Sequence, residues 1–524
     1  MPRLASELVF GFVYGVGTDV DPVITVLKDY LKQYKYQTHD FRISEYLKSA
    51  STGIEINTTT TYDRMSTLMD AGNRVRTDFQ SGDVLAITAV RDIASKRKLD
   101  EKNNPKPSWE TAHLVRSLKT PEEVRLLREI YRPGFFLIGI ASDDDEQVEY
   151  LSRRKGLTEE QARQIMARDQ DEEMPFGQRT RDTFYLADVF VQSKQGRFSD
   201  QLDRFIELVF GHPFKTPRRE EQAMFMAYAA AARSAQLGRQ VGAAVATPNG
   251  EVVAVGCNEV PSPSGGSYWE NDTCDQRDHR RSIDSNFEHR SKIVRSIQNG
   301  LTDHLLDEVI FLKIEKELTK TPNPDSEKLL EDLRKRKINE TQVSGKIHSS
   351  ELKDITEYGR AVHAEMDALL TCTRLGIGVK GLHLFTTTFP CHNCTRHIIA
   401  AGITKVTYIE PYPKSKAADL HQDAITFEDV EHGTATQNQR IPFVPFVGVG
   451  PRRYLDLFSL ELSTGSAIRR KDESGKPVEI IREQQRPRVS MLPYDYLESE
   501  VKLLDEHKLL FDKLNGVGNE QRGK

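Results

Sequence analysis

Short apolar runs alternate with amphipathic stretches over roughly the first 205 residues. Glu7-Leu-Val-Phe-Gly-Phe-Val13, Val84-Leu-Ala-Ile87 and Phe135-Phe-Leu-Ile-Gly-Ile-Ala141 have the length and content of buried strands, the last opening onto the acidic turn Asp143-Asp-Asp-Glu146. Apolar residues at helical spacing predict helices over Val20 to Tyr34, Pro121 to Ile130 and Thr158 to Asp169, the second beginning from Thr120 as N-cap with Pro121 first inside. This alternation predicts an α/β unit with a parallel sheet. A second unit begins near Pro213, with an alanine-rich helix from Arg219 to Leu237 and strands Val241 to Ala246 and Val252 to Cys257 joined at Pro248-Asn-Gly250.

Residues from about 268 to 352 are charge-dense, with Arg277-Asp-His-Arg-Arg281 and Glu327 to Arg336 as solvated helical faces and Thr321-Pro-Asn-Pro324 as a break. They read as a partly helical insertion. The pattern then resumes with helix Val362 to Leu375, strand Leu382 to Thr387, helix Cys394 to Ala401 and strand Lys405 to Ile409, with a further strand inside Ile441 to Val449. From about 463 the periodicity fades into Lys, Arg, Glu and Pro, which predicts a surface tail that docks locally. The expected division is therefore 1–205, 206–462 and 463–524.

Composition changes this picture little. With 38% hydrophobic and 29% charged positions among 524 residues the chain is neither disordered nor a membrane protein, and no run reaches eighteen apolar residues. A formal charge of -5 gives no overall attraction for nucleic acid or anionic lipid. Five cysteines at 257, 274, 372, 391 and 394 are too few and too unevenly spaced for a disulfide framework, so a reducing, cytoplasmic setting with one metal site is expected.

The candidate chemistry lies in His363-Ala-Glu365 and Pro390-Cys-His-Asn-Cys394. Catalytic zinc takes three protein ligands and leaves a fourth position open, a count that His363, Cys391 and Cys394 meet. Cys391 and Cys394, three apart at a helix start, fall on one face where exposed amides favour thiolate. Glu365, two residues after His363, would lie beside the open position as a proton carrier. H-x-E followed by P-C-x-x-C is the signature of zinc nucleobase deaminases. A structural zinc clip is the plainer alternative, but such sites are normally closed by four ligands. Cys257, Cys274, His279 and His289 could assemble a second zinc site, and Arg280, Arg281 and Arg290 could meet a polynucleotide or an inhibitory partner. Ordinary core packing and a solvated face explain them as well.

At Gln240-Val-Gly-Ala-Ala-Val245, Gly256-Cys-Asn258, His363-Ala-Glu365, Thr387-Thr-Phe-Pro-Cys-His-Asn-Cys394, Ala401-Gly-Ile403 and Tyr408-Ile-Glu-Pro-Tyr-Pro-Lys-Ser415 the sequence resembles the zinc-dependent cytidine/deoxycytidylate deaminase superfamily, and more closely its deoxycytidylate branch. The resemblance implies an α/β/α domain on a mixed five-stranded sheet, a zinc cofactor, and hydrolysis of dCMP or dCTP to the deoxyuridine nucleotide with release of ammonia. It also implies that Asn258 contacts the deoxyribose hydroxyl, that Arg239 or Lys414 takes phosphate, and that Phe389 and Tyr412 border the base. The whole layout looks like bacterial anti-phage deoxycytidylate deaminases, which carry a degenerate P-loop kinase-like domain before the deaminase. By that likeness the protein would be a homo-oligomer depleting deoxycytidine nucleotides, with a small inhibitory protein or RNA and a regulatory nucleotide as candidate partners, and no membrane association.

Gly11-Phe-Val-Tyr-Gly-Val-Gly-Thr-Asp19 follows a strand and precedes a helix, the setting in which glycine-rich amides cradle phosphate. Gly11, Gly15, Gly17 and Thr18 are the candidate residues. A working phosphate loop has lysine immediately before the final Thr, and here that position is Gly17. Phosphotransfer, regulatory nucleotide binding and a purely architectural role all remain readings of this unit. Two rivals stand beside the free-nucleotide deaminase: a base-flipping polynucleotide deaminase, which needs a basic, aromatic-lined groove, and a nucleotide-sensing regulatory binding protein.

Overall fold

Leu8–Tyr14 (β1) is a strand whose residues from Leu8 to Val13 are all buried on both faces. Such a run, without alternation, belongs at the centre of a parallel sheet covered on two sides. The computed structural model describes residues 6–306 and 358–515, apart from 51, 173, 175, 195–196, 282–283, 413–414, 428–439, 463–466 and 490–492. Around β1 lie Gln37–Arg42 (β2), Thr111–Arg116 (β3), Phe135–Ala141 (β4) and Val189–Gln192 (β5). β1 pairs in parallel with β3 and β4, β3 with β2, and β4 with β5, while Gly448–Val449 adds an antiparallel edge on β5. The mixed sheet that results runs, from that edge, through β5, β4, β1 and β3 to β2. Phe10, Phe136 and Phe205 of the helix Phe198–Val209 meet with centroids 5.7–6.3 Å apart and anchor one face, each worth roughly 1.5–3 kcal/mol of burial.

Helices Asp21–Gln33, Pro121–Tyr131 and Glu159–Gln170 form where the periodicity places them, and Thr120 begins the second with a full capping box through Glu123. Val84-Leu-Ala-Ile87 departs from expectation. It opens the helix Val84–Ser95, in which every residue from Val84 to Val90 is buried. A helix buried all round shows no 3.6-residue stripe, so a four-residue apolar run could not reveal it.

The expected tail is mostly exposed over 467–486 and then docks through two helices that the fading periodicity did not predict. Helices Pro493–Glu506 and Lys508–Leu514 bury Tyr496, Glu500, Leu510, Phe511 and Leu514. Arg97, after the helix Val84–Ser95, bonds Glu500 at 2.7 and 2.8 Å and Glu7 at 2.8 and 2.9 Å, all three side chains at most 1% exposed. Tyr496 donates to the same Glu7, and its ring lies 5.2 Å from the Arg97 guanidinium carbon. Residues 1–225, 407–411 and 444–524 cluster as one unit, and 226–406 with 412–443 as the other.

The second sheet is built on Gly242–Ala246 (β6), Val252–Cys257 (β7), His383–Thr388 (β8), Lys405–Glu410 (β9), Ile425–Thr426 (β10) and Ile441–Pro445 (β11). Its order is β10-β11-β9-β8-β6-β7, with β6 antiparallel to both β7 and β8 and β10 parallel to β11. It is mixed, as expected, and has six strands rather than five because the two-residue β10 extends the edge. Two glycines let helices approach this sheet. A Cβ on Gly242 would stand 1.9 Å from the Ala227 carbonyl oxygen, and one on Gly256 would stand 2.3 Å from the Ala368 nitrogen. Of the expected insertion, helices Asp278–Arg281 and Ser285–Leu306 are seen; Thr321 to Pro324 and Glu327 to Arg336 lie outside the described residues. No helix among the described residues is long and apolar enough to cross a membrane.

Candidate metal centre

Both halves of the site sit at helix starts, where free amides and the helix dipole favour negative ligands. His363 is the N-cap of the helix Ala364–Arg374, which starts two residues later than the periodicity implied, and its carbonyl accepts the Asp367 amide at 2.8 Å. A two-residue antiparallel bridge, Glu259 with Val362 at 3.0 and 3.2 Å, fixes the chain just before it. Cys391 caps the helix His392–Ala401, and its sulfur accepts the Cys394 amide. Gly402 closes that helix in the left-handed region at φ +79°.

The side chains converge. His363 Nδ1 lies 3.3 Å from Cys391 Sγ and 3.4 Å from Cys394 Sγ, and among the described residues these three form a His/Cys group with ligand atoms within 4.8 Å of one another. Zn–S near 2.3 Å and Zn–N near 2.0–2.1 Å in a tetrahedron require N···S separations of about 3.5 Å. The trio fits that ion. A hydrogen bond with Cys391 lifts His363 to about 9 against the opposing effect of burial, and its partner Cys391 is held well below the usual thiol range, chiefly by the Cys394 hydrogen bond. Nitrogen and sulfur donors of this kind suit zinc rather than magnesium or calcium.

Glu365 stands next to this trio, 4% exposed, with Cys394 Sγ 3.5 Å from its Oε2. Burial raises its carboxyl above the ordinary range. It lies outside the ligating group itself.

Of the residues expected to bind substrate, Arg239 is exposed, with its guanidinium carbon 5.0 Å from the centre of the half-buried Tyr412 ring. Its charge is close enough to oppose protonation of His363. Phe389 is buried, with its ring 6.1 Å from Phe427 and 5.7 Å from Phe443. Asn258 clamps the loop that carries Arg239: its Oδ1 accepts the Val241 amide at 2.7 Å and its Nδ2 donates to the Arg239 carbonyl at 2.8 Å. Lys414 lies outside the described residues. Losing these two bonds, each worth about 0.5–1.5 kcal/mol net, loosens Arg239 and not the sulfurs. Asn258→Ala is therefore expected to raise deuterium uptake across 239–241, with zinc content unchanged.

Three supporting residues were not anticipated. Asp367 Oδ2 accepts the Cys257 amide at 3.1 Å and ties the Glu365 helix to β7. Thr387 Oγ1 accepts the Gly242 amide at 3.1 Å, and buried Glu259 accepts the Ala235 amide at 2.7 Å. Their one sequence signal is a polar residue inside an apolar run. Cys257 is buried and pushed up to about 11 by desolvation, Cys274 is exposed, His279 lies 3.8 Å from Asp275, and His289 stacks on Tyr358. Among the described residues these four form no ligating group.

In the first unit, Gly11 lies inside β1, where a Cβ would stand 2.7–2.9 Å from Leu118 and Phe135. Gly15, Gly17 and Thr18 form the turn after β1, with the Thr18 amide donating to the Gly15 carbonyl at 3.2 Å.

Residues 217–410 match the family model described as the cytidine and deoxycytidylate deaminase zinc-binding region. The chain is 39% identical over 74 residues to ComE operon protein 2 of Bacillus subtilis, covering 14% of this chain and 39% of that protein. It is 34% identical over 105 residues to a probable deoxycytidylate deaminase of Drosophila melanogaster, covering 19% and 51%. The chain thus spans about two fifths to one half of the length of these curated relatives. A crystal structure of dCMP deaminase from the cyanophage S-TIM5 aligns over 44% of this chain and all of that one, at 17% identity and a TM-score of 0.21. The segment 217–410 therefore carries a zinc-binding region of the deaminase type, and the His363, Cys391 and Cys394 group lies inside it.

Proposed function

We propose that this site hydrolyses the 4-amino group of a deoxycytidine nucleotide, dCMP or dCTP, giving the deoxyuridine nucleotide and ammonia. The observation that carries the reading is one imidazole nitrogen within 3.3 and 3.4 Å of two sulfurs, beside a buried carboxyl that is not a ligand. His363, Cys391 and Cys394 would hold zinc, which would supply the Lewis acidity for activating water near neutral pH. Glu365 takes one proton from the attacking water and delivers it to ring N3, then takes the second from the hydroxyl left on C4 and passes it to the amine as the C4–N bond breaks and the carbonyl forms. Each proton is thus moved by one carboxyl, in a pocket where burial keeps bulk water from competing. Arg239, steadied by Asn258 and Tyr412, is the candidate for the substrate phosphate, and Phe389 and Tyr412 for the flank of the base.

Run during infection, the same reaction would drain deoxycytidine nucleotides from phage replication, and we assign the protein to that defence in the cytoplasm, restrained by a small protein or RNA. Purified protein is incubated with dCMP, dCTP, cytidine and single-stranded DNA, with ammonia and uracil products measured. Release from dCMP or dCTP alone is expected; no release from any free nucleotide overturns the reading.

A further inference from the structure

The glycine-rich turn of the first unit plays no part in the chemistry above, and its surroundings give it an occupant. β1 runs between parallel β3 and β4, so the turn that follows it opens at the carboxyl end of the sheet, where open parallel sheets bind their ligands. Gly17 has φ +90° and packs against Gln147, whose carbonyl oxygen would stand 2.9 Å from a Cβ there. Turns of this kind direct backbone N–H groups at an anion. Here the anion belongs to the same unit. Asp169 Oδ2, from the last turn of the helix Glu159–Gln170, accepts the Val16 amide at 2.9 Å.

The countercharge is present too. Lys119 Nζ lies 2.8 and 3.0 Å from the two Asp169 oxygens and donates to the Tyr14 carbonyl at 2.8 Å. A lysine that follows β3 thus brings a positive charge to the turn that lacks one at position 17. Asp169 is 1% exposed. Thr18, 6% exposed, holds a buried hydroxyl with no hydrogen-bond partner among the described residues. One carboxylate therefore receives a turn amide and a lysine ammonium, as a phosphoryl group does, while the hydroxyl of Thr18, two residues after Val16 in the same turn, stays without a partner.

We infer that the turn Tyr14–Thr18 with Lys119 is a phosphoryl-binding site kept shut by Asp169, and that a polyphosphate binds by displacing that carboxylate. The ligand class is the phosphoryl chain of a nucleotide or of inorganic polyphosphate. A ligand that binds only the open form has its affinity reduced by the fraction open, so removing Asp169 tightens binding without adding any contact. The inference is independent of the deaminase reading.

Calorimetric titration of the full-length protein with sodium tripolyphosphate and, separately, with ATP and dTTP tests it. Asp169→Ala is expected to bind tripolyphosphate about tenfold or more tighter than wild type, and Lys119→Met added to it removes the gain. ATP and dTTP gain to a similar degree. A folded Asp169→Ala with no tighter binding overturns the proposal, as does a gain for the nucleotides without one for tripolyphosphate. The isosteric Asp169→Asn serves if the alanine variant does not fold, since it keeps an acceptor for Val16 and removes only the charge. In the wild-type protein, millimolar tripolyphosphate should raise deuterium uptake across 159–170, and unchanged uptake counts against displacement.

Discussion

Glu365→Gln is expected to retain close to the wild-type zinc content and to lower kcat on dCMP by about 10²–10⁴-fold, the range for removing a positioned acid–base group. Glutamine has nearly the shape of glutamate but can neither take a proton from water nor return one to ring N3. Because Glu365 is outside the ligating group, the ion should not notice the exchange. Cys391→Ser and His363→Ala are the contrasting pair: each removes a ligand and should lose zinc and turnover together. Metal analysis and ammonia release on the same preparations separate the two outcomes. A Glu365→Gln protein that kept its turnover would remove the carboxyl from the mechanism and leave only a metal site.

The second large effect is on stability. Arg97→Met leaves Glu7 and Glu500 buried without their shared cation, and breaking a buried pair from one side costs about 3–5 kcal/mol. Thermal unfolding of the full chain should show the loss, and replacing Glu7 and Glu500 by glutamine in the same chain should recover much of it. Burial alone would raise the Glu7 carboxyl, but bonds from His113 and the charge of Arg97 outweigh it and hold the group below 4.5. Its contribution is thus complete above pH 4.5 and fades as the pH falls through the lowered value. Glu7→Gln should flatten that acid limb of the stability profile. An Arg97→Met chain that melts like wild type would mean the cluster carries no net stability.

These two cases differ in how much the sequence disclosed. His363, Glu365, Cys391 and Cys394 could be named because coordination chemistry fixes both residue type and spacing, and because each pair lies within one short segment. Glu7, Arg97 and Glu500 could not. Each alone looks like surface charge, and their pairing spans 403 residues between Arg97 and Glu500. β1 and β4 were legible from runs apolar on both faces, but β2, β3 and β5 were not, since β2 is largely polar and β5 is only four residues long, and Val84 to Ile87 was misread because a helix buried all round has no stripe to display. Asn258 was visible, but its hold on the Arg239 carbonyl and Val241 amide needed coordinates, since a side-chain bond to backbone leaves no periodic trace.

The Arg97–Glu500 pair also bears on how the molecule would respond to a protease. A single cut at any bond from 226 to 406 leaves Glu7 and Arg97 on one fragment and Tyr496 and Glu500 on the other. Severed chains should then travel as one particle in gel filtration and part only in denaturant, so a nicked preparation can pass for intact until it is run on a denaturing gel.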